Sequence, residues 1–157
     1  MSPAEIQAVL RLRLPESQAD LSAPAAGDAY LRISAAALKP VCRLLREAPE
    51  LDFDFLRMIS GVEFEDRLAS VYHLYSYRHG HSLTLRAELP KEKPQIESVA
   101  DIWPAADWHE RETFDLMGIV FQGHPELRRI LLPLDWEGHP LRSDYQQPRQ
   151  YHGVKND

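Results

Sequence analysis

Two runs of alternating residues in the middle of the chain constrain its fold more than any other feature. In Leu68–Arg78 the residues Leu68, Ser70, Tyr72, Leu74 and Ser76 alternate with Ala69, Val71, His73, Tyr75 and Tyr77. In Ser82–Leu89 the residues Leu83, Leu85, Ala87 and Leu89 alternate with polar side chains. A period of two places each set on one face of a strand. The short Gly-containing turn at His79–Gly80 joins the two runs as an antiparallel hairpin. Phe53–Glu65, interrupted at Ser60–Gly61, reads as a further strand, and Ala29–Ile33 and Ile119–Phe121 as shorter ones. A helix capped by Ser34 is expected to run to about Ala48, where Pro49 stops it. Its Leu38, Val41, Cys42 and Leu45 form an apolar stripe at three- and four-residue spacing. Ile6, Leu10 and Leu14 mark a short N-terminal helix, and residues 15–28 read as a surface connector. Pro90–Pro94, with its charged residues, reads as a solvated loop. Ser98 is placed to cap a short helix over Val99–Trp103, and Pro104 to open a second one that Gly118 ends. Trp108, Glu112 and Asp115 share one side of that second helix.

The expected class is α+β, with a mixed, largely antiparallel sheet covered by helices over residues 1–121. An irregular Arg- and aromatic-rich tail follows over residues 122–157. The 157 residues suit one domain. The single Cys42 excludes an internal disulfide framework and an all-Cys zinc or iron–sulfur site, and its place in the stripe makes it a small hydrophobe. Eighteen Lys and Arg stand against 24 Asp and Glu, a net charge of −6 with no basic run, which argues against nucleic acid as a partner. No apolar stretch approaches the ~20 residues of a membrane span. The N-terminus lacks the pattern of a signal peptide. These features lead to the expectation of a soluble, cytoplasmic chain.

The chemistry-bearing residue types do not assemble into a known site. His109-Glu110-Arg111-Glu112 resembles the start of a zinc-protease helix, but position 113 is Thr where the second His must stand. His79 and His81 are expected to be surface turn residues rather than a metal pair. Glu110 and Glu112, two apart on a helix, point in roughly opposite directions and cannot act as an acid–base dyad. Ion pairs with other elements are the expectation for Glu110, Arg111, Glu112 and Asp115. The glycines have neither phosphate-loop nor dinucleotide spacing. No catalytic, cofactor-binding or metal-binding residue is therefore expected. Residues 121–151 carry Phe121, Trp136, Tyr145 and Tyr151, and Arg128, Arg129, Arg142 and Arg149 there are balanced by Glu126, Asp135, Glu137 and Asp144. One helical turn is expected at Glu126–Leu131. Irregular chain of this length is unusual in a compact domain unless it is functional or lies on another protein, and the latter is expected over wrapping of its own domain.

From Trp103 to Tyr145 the chain reads WPAADWHERETFDLMGIVFQGHPELRRILLPLDWEGHPLRSDY, and this run resembles the C-subunit family of respiratory complex I, the proton-pumping NADH:quinone oxidoreductase. Glu110, Arg111, Glu112 and Asp115 fill an E-R-E-x-x-D helix end. Gly118, Ile119, Phe121, Gly123, His124, Pro125, Leu127, Arg129, Ile130 and Leu131 fill the block that follows. Gly138, Pro140, Leu141, Arg142, Asp144 and Tyr145 fill the last. The ending, with Gln146-Gln147-Pro148, resembles bacterial members and cyanobacterial or plastid counterparts.

The resemblance implies a non-catalytic structural subunit of the peripheral arm. It would support quinone-binding and cluster-bearing neighbours while electrons pass from NADH to quinone. FMN, iron–sulfur clusters and quinone would reside in those neighbours and not in this chain. The implied partners are above all the D subunit, with B- and I-type subunits, on the cytoplasmic face of the bacterial cell membrane without a span of its own. Arg129, Trp136, Arg142 and Tyr145 are the expected partner contacts. Equivalent subunits of a photosynthetic NDH-type complex or a membrane-bound hydrogenase are the alternative in the same class. A stand-alone small acid–base enzyme is the alternative outside it.

Overall fold

The alternating runs pair as their period requires. In the computed structural model, which describes residues 1–155, β4 (Arg67–Ser76) and β5 (His81–Pro90) are antiparallel, from Arg67↔Pro90 to Ser76↔His81. This register sets Leu68, Tyr72 and Leu74 opposite Leu89, Leu85 and Leu83 on one buried face. β3 (Phe55–Glu63) lies antiparallel to β4 at one edge, with Arg57 an extra residue where the register shifts between Leu56 and Met58. β2 (Tyr30–Ile33) runs parallel to β5, and β1 (Asp20–Ser22) antiparallel to β2. The sheet order is β1-β2-β5-β4-β3, so one parallel pair makes the sheet mixed.

One face of the sheet carries the core. α1 (Pro3–Arg13) contributes Ile6 and Leu10, and α2 (Leu38–Glu47) contributes Leu38, Val41, Cys42 and Leu45, all fully buried. Ser2 and Glu5 form a reciprocal capping box at the start of α1. α3 (Ala106–Met117) packs along β3, close enough that a Cβ on Gly61 would lie 2.9 Å from the Met117 side chain. β6 (Gln95–Glu97) and β7 (Val120–Gln122) form a parallel pair from segments on either side of α3 in the chain. Gln150–Tyr151 and Val154–Lys155 form a small hairpin near the C-terminus. Among the described residues no helix is long and apolar enough to cross a membrane.

Several local expectations are corrected. Ser34 makes no side-chain cap; Ala35–Ala37 form a 3-10 turn before α2 begins at Leu38. Leu14 lies just past α1, and the connector contains a 3-10 turn at Pro15–Ser17 as well as β1. Residues 99–103 make a single turn, with Ile102 and Trp103 both donating to the Val99 carbonyl. The Trp103 indole N–H instead reaches the Phe53 carbonyl at 2.9 Å. No helical turn forms at 126–131, because the Ile130 and Leu131 N–H groups bond to Asp115. His81 is buried, not a surface residue; its Nε2 is 2.8 Å from the Leu51 carbonyl, and its ring lies against Phe53.

Candidate functional site

α3 buries three charged residues, Glu110, Arg111 and Asp115, which an amphipathic helix normally leaves in water. Burial of a charge is tolerable only when hydrogen bonds replace the lost solvent. Here most of those bonds come from backbone groups. Glu110 accepts the Val99 N–H at 2.7 Å and the Ser98 hydroxyl at 2.6 Å, tying the loop before α3 to the helix. Arg111 donates to the carbonyls of Arg128 and Arg129 at 3.1 and 3.3 Å. Its guanidinium also lies 5.6 Å from the Trp108 ring centre. Asp115 Oδ2 accepts three consecutive amides, from Ile130, Leu131 and Leu132, at 3.0, 2.8 and 2.9 Å. Its Oδ1 takes the Arg129 guanidinium at 2.7 Å. Burial alone would raise the Asp115 carboxyl, but the Leu132 amide, the Arg129 guanidinium and the other two amides hold it below the ordinary carboxylate range.

These contacts replace the ion pairs expected for Glu110 and Arg111; of the four, Asp115 forms one, with Arg129. Glu112 is exposed and makes no ion pair among the described residues.

The tail thus lies along its own helix for much of its length. Arg129 further donates to the carbonyls of Asp115, Trp136 and Gly138 at 3.0, 2.8 and 2.8 Å. His139 donates to the Asp115 carbonyl, and the Leu141 N–H to that of Leu116. Gly118 ends α3 in the left-handed region at φ +75°, with the His139 ring directly over it. The Gly138 position faces the Tyr145 ring in the same way. Gly123 and Pro125 are exposed and Pro140 is half-buried.

A second knot joins distant segments. Glu63, at the end of β3, accepts Lys91 Nζ at 2.6 Å and the Ser143 N–H and hydroxyl at 2.6 and 2.8 Å. The Lys91 ammonium, foremost, holds the Glu63 carboxyl below its usual range. Arg142 reaches the Lys91 carbonyl at 3.4 Å and pairs with Asp144. Sequence reading missed Lys91, His139 and Ser143. Glu63 and Ser143 are 80 positions apart, and no local pattern announces such a pair.

Of the expected partner contacts, Arg129 and Arg142 are therefore engaged within the chain. Trp136 lies against Tyr151 with ring centres 5.1 Å apart and the planes tilted by 50°, and its buried indole N–H has no hydrogen bond; nor has the buried Tyr145 hydroxyl. Among the side chains the tail exposes, beside charged ones such as Arg128, Asp135 and Glu137, are Leu131, Leu134 and Leu141; Trp108 on α3 is exposed as well. Leu141 also closes a groove of about 300 Å³ between β3 and α3, lined by Met58, Ile59, Gly61 and Leu116. Among the described residues no three His, Cys, Asp or Glu side chains are grouped to hold a metal ion.

Residues 31–151 match the family described as respiratory-chain NADH dehydrogenase, 30 Kd subunit. Relatives named as the C subunit of NADH-quinone oxidoreductase include one from Chloroherpeton thalassium, 49% identical over 121 residues. That match covers 76% of this chain and 50% of the relative, so the chain spans about half the relative's length. Another, from Roseiflexus castenholzii, is 46% identical over 121 residues, covering 75% of this chain and 70% of the relative. A solved structure of Nqo5, its trypsin-resistant fragment 1–134, superposes with a TM-score of 0.63 and 27% identity, covering 80% of this chain and all of the fragment. The membrane-bound sulfane sulfur reductase, an archaeal respiratory membrane complex, shares the fold with a TM-score of 0.74 at 24% identity, over 91% of this chain and 85% of that one.

Proposed function

The chain belongs to the respiratory-chain NADH dehydrogenase 30 Kd subunit family, and from that membership we propose that it is a non-catalytic structural subunit of the peripheral arm of NADH:quinone oxidoreductase. Its main partner is the D subunit, with B- and I-type subunits nearby, on the cytoplasmic face of the bacterial membrane. In that role it holds the quinone-binding and cluster-bearing subunits in register while electrons pass from NADH to quinone. FMN, iron–sulfur clusters and quinone are carried by those neighbours.

The observation that carries this reading is how the buried charges are used. Glu110, Arg111 and Asp115 are directed at backbone groups of the same chain, which makes a rigid scaffold from irregular segments. A scaffold of this kind presents a fixed outer surface, and here that surface includes the exposed Leu131, Leu134 and Leu141 of the tail and Trp108 of α3. Exposed apolar and aromatic side chains are the residue types that protein-binding surfaces favour. Arg129, Trp136, Arg142 and Tyr145 belong to the same segment, which the side-chain bonds of Arg129 and Arg142 help to hold in place.

Purification of the tagged chain from gently solubilised membranes tests the proposal. The D subunit should copurify in stoichiometric amount with the wild-type chain. The double variant Leu131→Asp/Leu134→Asp should fold normally and lose the D subunit. Recovery of a full complement of D with a folded double variant would refute the docking face.

A further inference from the structure

At the first two turns of α3, two fully buried titratable side chains meet beside the half-buried Asp107. Glu110 is fully buried. The His124 side chain is also fully buried, just beyond β7 where the tail begins. Its Nδ1 accepts the Glu126 N–H at 2.9 Å, so the ring hydrogen of the neutral imidazole sits on Nε2. Around that Nε2 lie three oxygens: the Asp107 carbonyl at 3.2 Å, Asp107 Oδ1 at 3.4 Å and Glu110 Oε2 at 3.9 Å. Asp107 Oδ1 is buried and has no hydrogen bond. One donor therefore faces three acceptors, and charge decides among them.

We propose that Glu110 is a solvent-shielded proton-binding site whose charge sets the position of the His124 ring, and with it the hold of α3 on the turn at residues 124–126. With the carboxyl protonated, the Nε2–H stays on the Asp107 carbonyl and the ring keeps the Glu126 N–H. Loss of the proton to solvent leaves a negative charge 3.9 Å from Nε2. The ring then swings toward Oε2, and Nδ1 withdraws from the Glu126 amide. This inference is independent of the partner-binding reading, because every group in it belongs to this chain.

The surroundings favour Glu110 as the group that changes charge. Burial raises its carboxyl to about 7, against the opposing hydrogen bonds from Ser98 and Val99 and the charge of Lys39; Asp101 raises it further. Lys39 and Arg43 on α2 both pair with Asp101, at 3.1 and 3.3 Å. Cys42 on α2 and Tyr72 on β4 face the same pocket, and burial raises both, so they stay neutral around pH 7. Asp107 and His124 complete the groups facing the carboxyl.

The test is carbon-13 and nitrogen-15 NMR of the labelled full-length chain between pH 5 and 9. The Glu110 carboxyl signal should titrate with its midpoint near 7. Protection of the Glu126 amide, corrected for intrinsic exchange, should fall roughly tenfold across the same midpoint. Glu110→Gln should keep the high protection at every pH. His124→Phe, which fills the same space without an acceptor, should show low protection throughout while the Glu110 titration persists. A Glu110 carboxyl that remains ionised at pH 5, or wild-type Glu126 protection that ignores the titration, would overturn the proposal whether or not either variant folds.

Discussion

Asp115 accepts four hydrogen bonds from the chain that follows its helix, three from amides and one from Arg129. A carboxylate so placed does for the irregular segment what a ladder does for a strand: it satisfies donors that would otherwise be buried unpaired. Asp115→Ala should therefore cost about 3–5 kcal/mol, since it leaves both the amides and the Arg129 charge without a partner. Asp115→Asn, which keeps an acceptor, should cost less; urea unfolding at pH 7 measures both. The pH dependence carries opposite signs at the two buried acids. The Asp115 carboxyl is lowered, so its contribution is complete above the ordinary Asp range and disappears as pH falls through the folded value. The Glu110 carboxyl is raised from 4.5 to about 7, so its contribution is complete below 4.5 and is lost as pH rises through 7. That shift corresponds to roughly 3 kcal/mol. Melting temperatures of wild type should fall on the neutral side, and Glu110→Gln should flatten that decline. A wild-type melting temperature that climbs from pH 5 to 8 would contradict the assignment.

Among the elements, α3 is held by what surrounds it more than by its own caps, since Ala105 offers no side-chain bond to its first turn. Arg111 is the clamp on its tail side. Arg111→Ala should destabilise the chain by about 2–4 kcal/mol, since two carbonyls lose their donor, and reduce the amount of assembled complex, with turnover per assembled complex unchanged. Arg111→Lys should recover part of the loss, because a point charge cannot serve two carbonyls as a planar guanidinium does. A normal yield of complex with a lower maximal rate would instead indicate a part in the chemistry. The end of α3 is set by Gly118. An alanine there takes a left-handed backbone and a Cβ 2.6 Å from the His139 ring. The backbone strain alone costs about 1–2 kcal/mol, and displacement of His139 adds to it, so Gly118→Ala should lower the urea midpoint by at least that equivalent.

Across the molecule, the internal bonds of the tail make a direct prediction: the Ile130, Leu131 and Leu132 amides should be protected from exchange in the isolated chain. Exchange as fast as in an unstructured peptide would mean that only a partner orders this segment. The α+β class, the β4–β5 hairpin and the apolar stripe of α2 were all legible in the residues alone. Those features are local periodicities, and a period of two or of three and four is written in neighbouring side chains. The C-terminal motif was equally legible as a pattern, from Glu110 to Tyr145. What it does locally was not. Glu110 serves a loop 11 residues back, Asp115 serves amides 15 to 17 residues ahead, and Glu63 serves Ser143 across 80 positions. The partners at the first two are mostly backbone N–H groups, which every residue but proline carries, so no side-chain identity in the sequence marks them. It took the folded chain, which brings those amides to the buried carboxylates, to settle that these charges hold irregular segments in place mostly through backbone groups and, of the ion pairs expected with other elements, form chiefly that of Asp115 with Arg129.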